Sequence, residues 1–454
     1  MLHWVLAAGF FGDITAMKTL KPKRAGFFRM TPKKMIIAAA LAAGVISIPI
    51  LGVYGYLNIT HNPNTATHLI TLPASYAPAA VNAAQQRIMY ALQREPAGYM
   101  LEQVNSQNIS VPLGLLTNRF GADDSDIISA VKISPNYQYV AIDGSGDHGD
   151  FVWIYNTSTK SLSMTPSNAI GEFLNWMPDG QHFLFKPFIP MGPNPLAWNE
   201  GVWIVNAKDG SHVNVALPQN LTSSQLVDAI SAPSGSSLLL SVSQGLGLGS
   251  EVWSMGVNGA QPQQMFNSKQ IVGLFSWAPN GQRLAYQTIQ DTDVAFQSGG
   301  LWLMNTANAQ RTYVAAIDGG HGYTVSWSPN SENLAFVTRL NTSSQIANSQ
   351  AGALISAIQN YSLLSGAVTT IAGPQQTGEP RNIQPNWTAD NNLVFTSMSA
   401  SSQKYGAALT SAEFWLVSAH GAVQTNSVTT PLFTIEPLTF ANAANVSAMY
   451  DLQG

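Results

Sequence analysis

Phe275-Ser276-Trp277-Ala278-Pro279-Asn280-Gly281, followed at once by Leu284-Ala285-Tyr286, is the stretch that decides the fold. Pro-Asn-Gly supplies the dihedrals of a tight turn. The short apolar runs on either side have the length and bounds of buried strands. A further element, Leu301-Trp302-Leu303-Met304-Asn305, comes next.

The same pattern recurs along the chain. It reads Val131 to Asn136 with Tyr139-Val140-Ala141-Ile142, and Leu174 to Gly180 with Phe183-Leu184-Phe185. It returns as Ile230 to Gly235 with Leu238-Leu239-Leu240, and as Val325 to Asn330 with Leu334-Ala335-Phe336. The last copy is Asn386-Trp387-Thr388-Ala389-Asp390 with Leu393-Val394-Phe395. From Pro135 through Pro178, Pro233, Pro279 and Pro329 to Ala389 the spacings are 43, 55, 46, 50 and 60 residues. Each copy also has a second element: Phe151–Tyr155, Val202–Val205, Val252–Met255, Leu301–Met304, Leu354–Ile358 and Phe414–Val417. Three or four short strands per unit of this length make one propeller blade, which must stack on its neighbours to bury both faces. The recurrent tryptophans are read as packing between blades.

These repeats resemble the TolB-type, WD-like β-propeller family, whose blades run aromatic-Ser-Pro-Asp-Gly, then Leu-Ala-Phe, then an aromatic third strand. Phe275 to Tyr286 with Leu301 to Asn305 is the best match, and the resemblance covers about residues 127–425. It implies an all-β fold, a six-bladed β-propeller, with the flanking segments supplying ring closure or a seventh blade. In the soluble periplasmic members a larger α/β domain precedes the propeller. Residues 58–126 show no match to it, so the lipoprotein partner of that family is not carried over.

Met35 to Leu57 is 23 residues without a charge, long enough for one transmembrane helix. Pro49 is tolerable there, and Tyr54 and Tyr56 suit an interface. Seven basic residues precede the end of this run against one acid, Asp13, so residues 1–57 carry +6 and the rest −10. The positive-inside rule then leaves residues 1–34 in the cytoplasm and the remainder outside. A cleaved signal peptide is the alternative; the run is long for one. The basic stretch from Met17 makes a better start than Met1 for such an anchor.

The expected organisation is therefore a basic tail over 1–34, a signal-anchor over 35–57, and a linker over 58–126. The propeller follows over 127–426 and a closing segment over 427–454. Within the linker, Pro78–Glu95 has apolar residues at helical spacing (Val81, Ala84, Ile88, Ala91, Leu92), with Pro96 and Gly98 as stop signals. The expectation is a short helix packed on the propeller, or one that binds a partner.

Candidate binding residues lie where the repeats are interrupted. Lys186–Glu200 reads KPFIPMGPNPLAWNE: its prolines stiffen it, and Phe188, Ile189, Met191 and Trp198 offer apolar area. Arg339–Gly352 and Met398–Ala412 are further long segments. His321 and Arg381 stand in segments entering the fifth and sixth repeats and are expected near the mouth of the ring. Asp143, Asp147 and Asp150, set among glycines, are a candidate oxygen-ligand set for calcium; an acidic glycine turn is the plainer alternative.

Catalytic signals are missing from the text of the sequence. It has no Gly-x-Ser-x-Gly, no His-Glu-x-x-His and no phosphate-binding glycine loop. No cysteine is present, which excludes disulfides, thiolate metal sites and cysteine nucleophiles. The excess of acid over base outside the tail argues against nucleic acid as a partner. Only 10% of residues are charged, and Asn, Gln, Ser and Thr take their place, as on an exported protein. Few titrating groups also suit an acidic exterior. The sequence points to a single-pass protein of the cell membrane. Its external propeller is expected to act as a non-catalytic scaffold for an envelope protein, peptide or polymer. The alternative is a propeller hydrolase or lyase acting on extracellular carbohydrate or peptide.

Overall fold

The computed structural model describes residues 89–95, 98–104, 110–117, 127–146, 149–166, 169–187, 201–218, 221, 225–290, 298–318, 324–340, 355–388, 391–398, 412–425, 428–438 and 446–450. The expected anchor at 35–57 lies outside them. Among the described residues no helix is long and apolar enough to cross a membrane.

Among the described residues, twenty-eight strands form seven four-stranded antiparallel sheets. Strands β1 (Met89–Glu95), β2 (Gly98–Val104) and β3 (Ser110–Thr117) come first. The first repeat gives β4 (Ile127–Ile133), β5 (Tyr139–Gly146), β6 (Gly149–Asn156) and β7 (Ser161–Met164). The second gives β8 (Gly171–Trp176), β9 (His182–Pro187), β10 (Val202–Asn206) and β11 (His212–Val215). The third gives β12 (Leu226–Ser231), β13 (Ser237–Ser243), β14 (Ser250–Gly256) and β15 (Gln263–Ser268). The fourth gives β16 (Ile271–Trp277), β17 (Arg283–Ile289), β18 (Ser298–Asn305) and β19 (Arg311–Asp318). The fifth gives β20 (Val325–Trp327), β21 (Asn333–Arg339), β22 (Ser356–Ser362) and β23 (Val368–Ala372), followed by a single helical turn, Pro374–Thr377. The sixth gives β24 (Arg381–Trp387), β25 (Leu393–Met398), β26 (Ala412–Thr425) and β27 (Val428–Leu438). Strand β28 (Val446–Tyr450) ends the series.

Each repeat is one sheet with its strands in chain order. First strands of successive sheets touch, β8 with β12, β12 with β16, β16 with β20 and β20 with β24, so they form the inner wall of a ring. The six repeats thus make a six-bladed propeller series, as expected. The flanking segments combine into the remaining sheet, in the order β28-β1-β2-β3, and β28 touches β4 as the other first strands touch their neighbours. Closure therefore takes its innermost strand from residues far along the chain. Tyr90 stands opposite Tyr450, and Leu92 opposite Ala448.

This pairing corrects the helix expected over Pro78–Glu95. Met89–Glu95 is strand, paired along its length with β2 and on its other side with β28. Two sets of ladder bonds outweigh a helical spacing of apolar residues, which is only a weak local preference. Residues 78–88 lie outside the described residues. The sixth repeat also runs past its expected end at 426, since β27 reaches Leu438.

The core sits between sheets. Leu184 and Val202 of one sheet pack with Leu226, Leu238 and Leu240 of the next. Ile230 and Leu239 pack with Val272, Phe275 and Leu284 in the following pair. Most of the repeat tryptophans belong to these seams, as read from the sequence: Trp176, Trp327 and Trp387 are buried, while Trp153, Trp203, Trp253, Trp277, Trp302 and Trp415 pack on the clusters. Trp176 Nε1 donates to the carbonyl of Lys132 (3.0 Å) and Trp327 Nε1 to that of Ser276 (3.1 Å), each tying its sheet to the preceding first strand.

Candidate functional site at the loop-rich end of the ring

Antiparallel order puts two kinds of connection at the same end of the ring: those joining second to third strands, and those entering the next sheet. The opposite end holds the tight turns. Met177, Ala232, Ala278, Ser328 and their equivalents accept the bond that closes each first turn, as in Gly281 N–H to Ala278 O at 2.8 Å. The long segments 188–200, 341–354 and 399–411 leave from the first end.

Charged groups gather beside that end on neighbouring first strands. Glu172 of β8 lies opposite Lys186 of β9 in register, with Lys186 Nζ 3.5 Å from Glu172 Oε2. On the next first strand, Asp228 of β12 accepts the N–H of Ala229 at Oδ1 (2.8 Å) and that of Phe275 at Oδ2 (2.9 Å). Phe275 belongs to β16, so this carboxylate bridges two sheets. Burial pushes the Asp228 carboxyl up to about 7; the Phe275 bond opposes that, and the negative charge of Glu172 reinforces it. Phe275 follows Leu274, whose φ of 53° makes the bulge that turns its N–H toward Asp228. In β24 the same left-handed bulge is made by Gln384, and the next residue, Pro385, has no N–H to be satisfied.

Neutral groups also tie sheets at this end, both in the Asp228 seam and elsewhere. Ser356 Oγ donates to Asn382 O (2.8 Å) and receives Asn382 N–H (2.9 Å). Ser241 Oγ donates to Val272 O (2.6 Å), and Val272 N–H is received by Ser250 Oγ (3.1 Å).

The residues singled out from sequence fall as follows. Phe188, Ile189, Met191, Trp198, His321 and Asp147 lie outside the described residues. Arg381 opens β24, opposite Met398. Asp143 is buried on β5, and its Oδ1 receives Phe173 N–H of the next sheet at 3.0 Å. It is a seam residue of the same kind as Asp228. Asp150 lies on β6 opposite Ser145. Among the described residues no group of three His, Asp or Glu is placed to hold a metal ion. Glu172 and Asp228 went unnoticed in the sequence; a lone carboxylate inside an otherwise apolar first strand, as in LVDAIS, was the available signal.

No family model and no curated protein matches the chain. Solved structures match it at modest similarity. TolB from Acinetobacter baumannii superposes at a TM-score of 0.40 with 14% identity, over 61% of each chain. The match therefore spans less than two thirds of that relative. An oligogalacturonate lyase in complex with manganese gives 0.44 at 12% identity, covering 68% of this chain and 81% of that one. A prolyl endopeptidase gives 0.45 at 11%, over 78% of this chain and 50% of that one.

Proposed function

We propose that the chain is a membrane-anchored external propeller that binds a protein, peptide or envelope polymer at the loop-rich end of its ring, without catalysing a reaction. The observation that carries this is the asymmetry of the ring. One end is closed by short turns with backbone bonds. From the other leave the long segments 188–200, 341–354 and 399–411, at the end where the Glu172–Lys186 pair and Asp228 stand. A rigid scaffold holding several segments at one end is the arrangement of a binding face. Segment 188–200, with its prolines and its Phe188, Ile189, Met191 and Trp198, is the first contact we assign, and Met35–Leu57 is the anchor.

The test is crosslinking of the detergent-solubilised full chain in source-cell envelopes. A parallel variant has 188–200 replaced by a short Gly/Ser link. We expect a discrete adduct that the variant loses. An adduct formed equally by both would move the interface elsewhere, and turnover of an envelope polysaccharide by the purified chain would overturn the non-catalytic reading.

A further inference from the structure

Between β13 and β14 the chain turns through Gln244-Gly245-Leu246-Gly247-Leu248-Gly249, at the loop-rich end. The turn is tightly tied. Gln244 N–H donates to Gly249 O (2.9 Å), Leu248 N–H to Gly245 O (3.0 Å) and Gly245 N–H to Ser243 Oγ (3.2 Å). Gly245, Gly247 and Gly249 all have positive φ, and a Cβ on Gly249 would come within 2.0 Å of Ser268 O. This well-fixed backbone holds two leucines outward: Leu246 is 52% and Leu248 62% exposed. Leucines placed so are unusual on a turn whose backbone has no need of them. Two more exposed aliphatics, Leu340 and Ile355, stand at the same end, where Leu340 N–H meets Ile355 O at 2.8 Å.

We infer that the Leu246–Leu248 turn rests on a lipid bilayer bearing anionic headgroups. Three observations select lipid over a protein pocket. The turn is open at its tip, where a Cβ added at Gly247 would meet nothing within 4 Å, and this leaves room for headgroups around the two leucines. Its backbone at Gly249 lies directly against that of Lys269, an exposed residue with no ion pair among the described residues, so a cation flanks the apolar tip. That combination, apolar side chains to enter the interface and a lysine for the headgroups, is the chemistry of interfacial attachment. Finally, the anchor proposed above for 35–57, on which this third support rests, would hold the ring near a bilayer. Long segments leaving the same end would then meet their partner at the membrane surface. The inference does not depend on that partner.

The chain has no cysteine, so a single probe can be placed cleanly. The full chain carrying Leu248→Cys with an environment-sensitive fluorophore is reconstituted in vesicles of phosphatidylcholine, with and without phosphatidylglycerol, and brominated lipid is the quencher. Leu364→Cys, 80% exposed on the turn between β22 and β23 at the other end, is the control. We expect a blue shift and quenching at position 248, stronger with phosphatidylglycerol, and none at 364. Lys269→Gln in the 248-labelled chain should abolish the phosphatidylglycerol preference and leave the fold unchanged by circular dichroism. Emission at 248 as water-like as at 364 in both vesicles would overturn the inference. So would a blue shift that appears only when envelope proteins are added.

Discussion

Asp228 is held where its two protonation states have opposite consequences for the ring. Ionised, it accepts amide protons from its own strand and from the next sheet, yet it lies in a poorly hydrated seam near Glu172. Its folded value of about 7 stands above the ordinary 3.8, so the folded chain retains a proton that the unfolded chain releases. The contribution to stability is present at acidic pH and is lost as pH rises through about 7. The facing charges are Glu172 on β8 and its partner Lys186 on β9; β13 and β16 carry no charged residue. Asp179 and Asp209 are held below the usual carboxyl value, and their effect falls at lower pH. Melting temperature followed between about pH 5 and pH 8 should therefore fall more steeply for the native chain than for Asp228→Asn. Parallel profiles would remove Asp228 as the cause.

At the scale of the element, the first turn of every repeat ends on a left-handed residue. These are Tyr137, Gly180, Gly235, Gly281, Ser331 and Asn391, with φ between 60° and 70°. Glycine suits that region, and tyrosine is strained in it. Tyr137→Gly is expected to stabilise the chain by about 0.5–1 kcal/mol in denaturant unfolding. Ser331→Gly should give no such gain, because Ser331 Oγ receives Asn280 N–H of the preceding sheet (3.0 Å) and that tie would be lost.

Such turns, with the aromatic strands after them, are why the repeats could be read so far from sequence alone. The exceptions have local causes. In the fifth repeat the strand expected at Leu354–Ile358 lies at Ser356–Ser362 instead. Gln359 stands opposite Phe336, where Trp302 stands opposite Tyr286 in the fourth repeat. Gln359 there bonds Thr338 and Thr370 rather than packing an aromatic face, so the usual marker was absent. The residues of β1 read as helix because their apolar positions suit either period, and the pairing that decides between them comes from distant sequence. The partners of the seam carboxylates are not legible for a related reason: Asp143 and Asp228 bond the amides of Phe173 and Phe275, which only the ring brings near.

For the molecule as a whole, β28-β1-β2-β3 is the one sheet among the described residues that pairs strands not consecutive in sequence. A chain ending at residue 445 leaves that sheet without its innermost strand and β4 without its neighbour. Limited proteolysis with mass mapping should then show early cleavage between residues 89 and 126, while the sheets of the third and fourth repeats persist. An unchanged cleavage pattern would mean that β28 contributes little to closure.

That strand also sets a timetable for the chain as it is made. Six sheets can assemble in the order in which the ribosome delivers them. The earliest of the described strands, β1, must wait with one ladder of amides and carbonyls open until Val446–Tyr450 has emerged. If the amino-terminal segment has already been threaded into a membrane, this waiting edge is exposed on the far side through nearly the whole of export. Any folding helper this protein requires would therefore be needed there, at its beginning, until its last strand arrives.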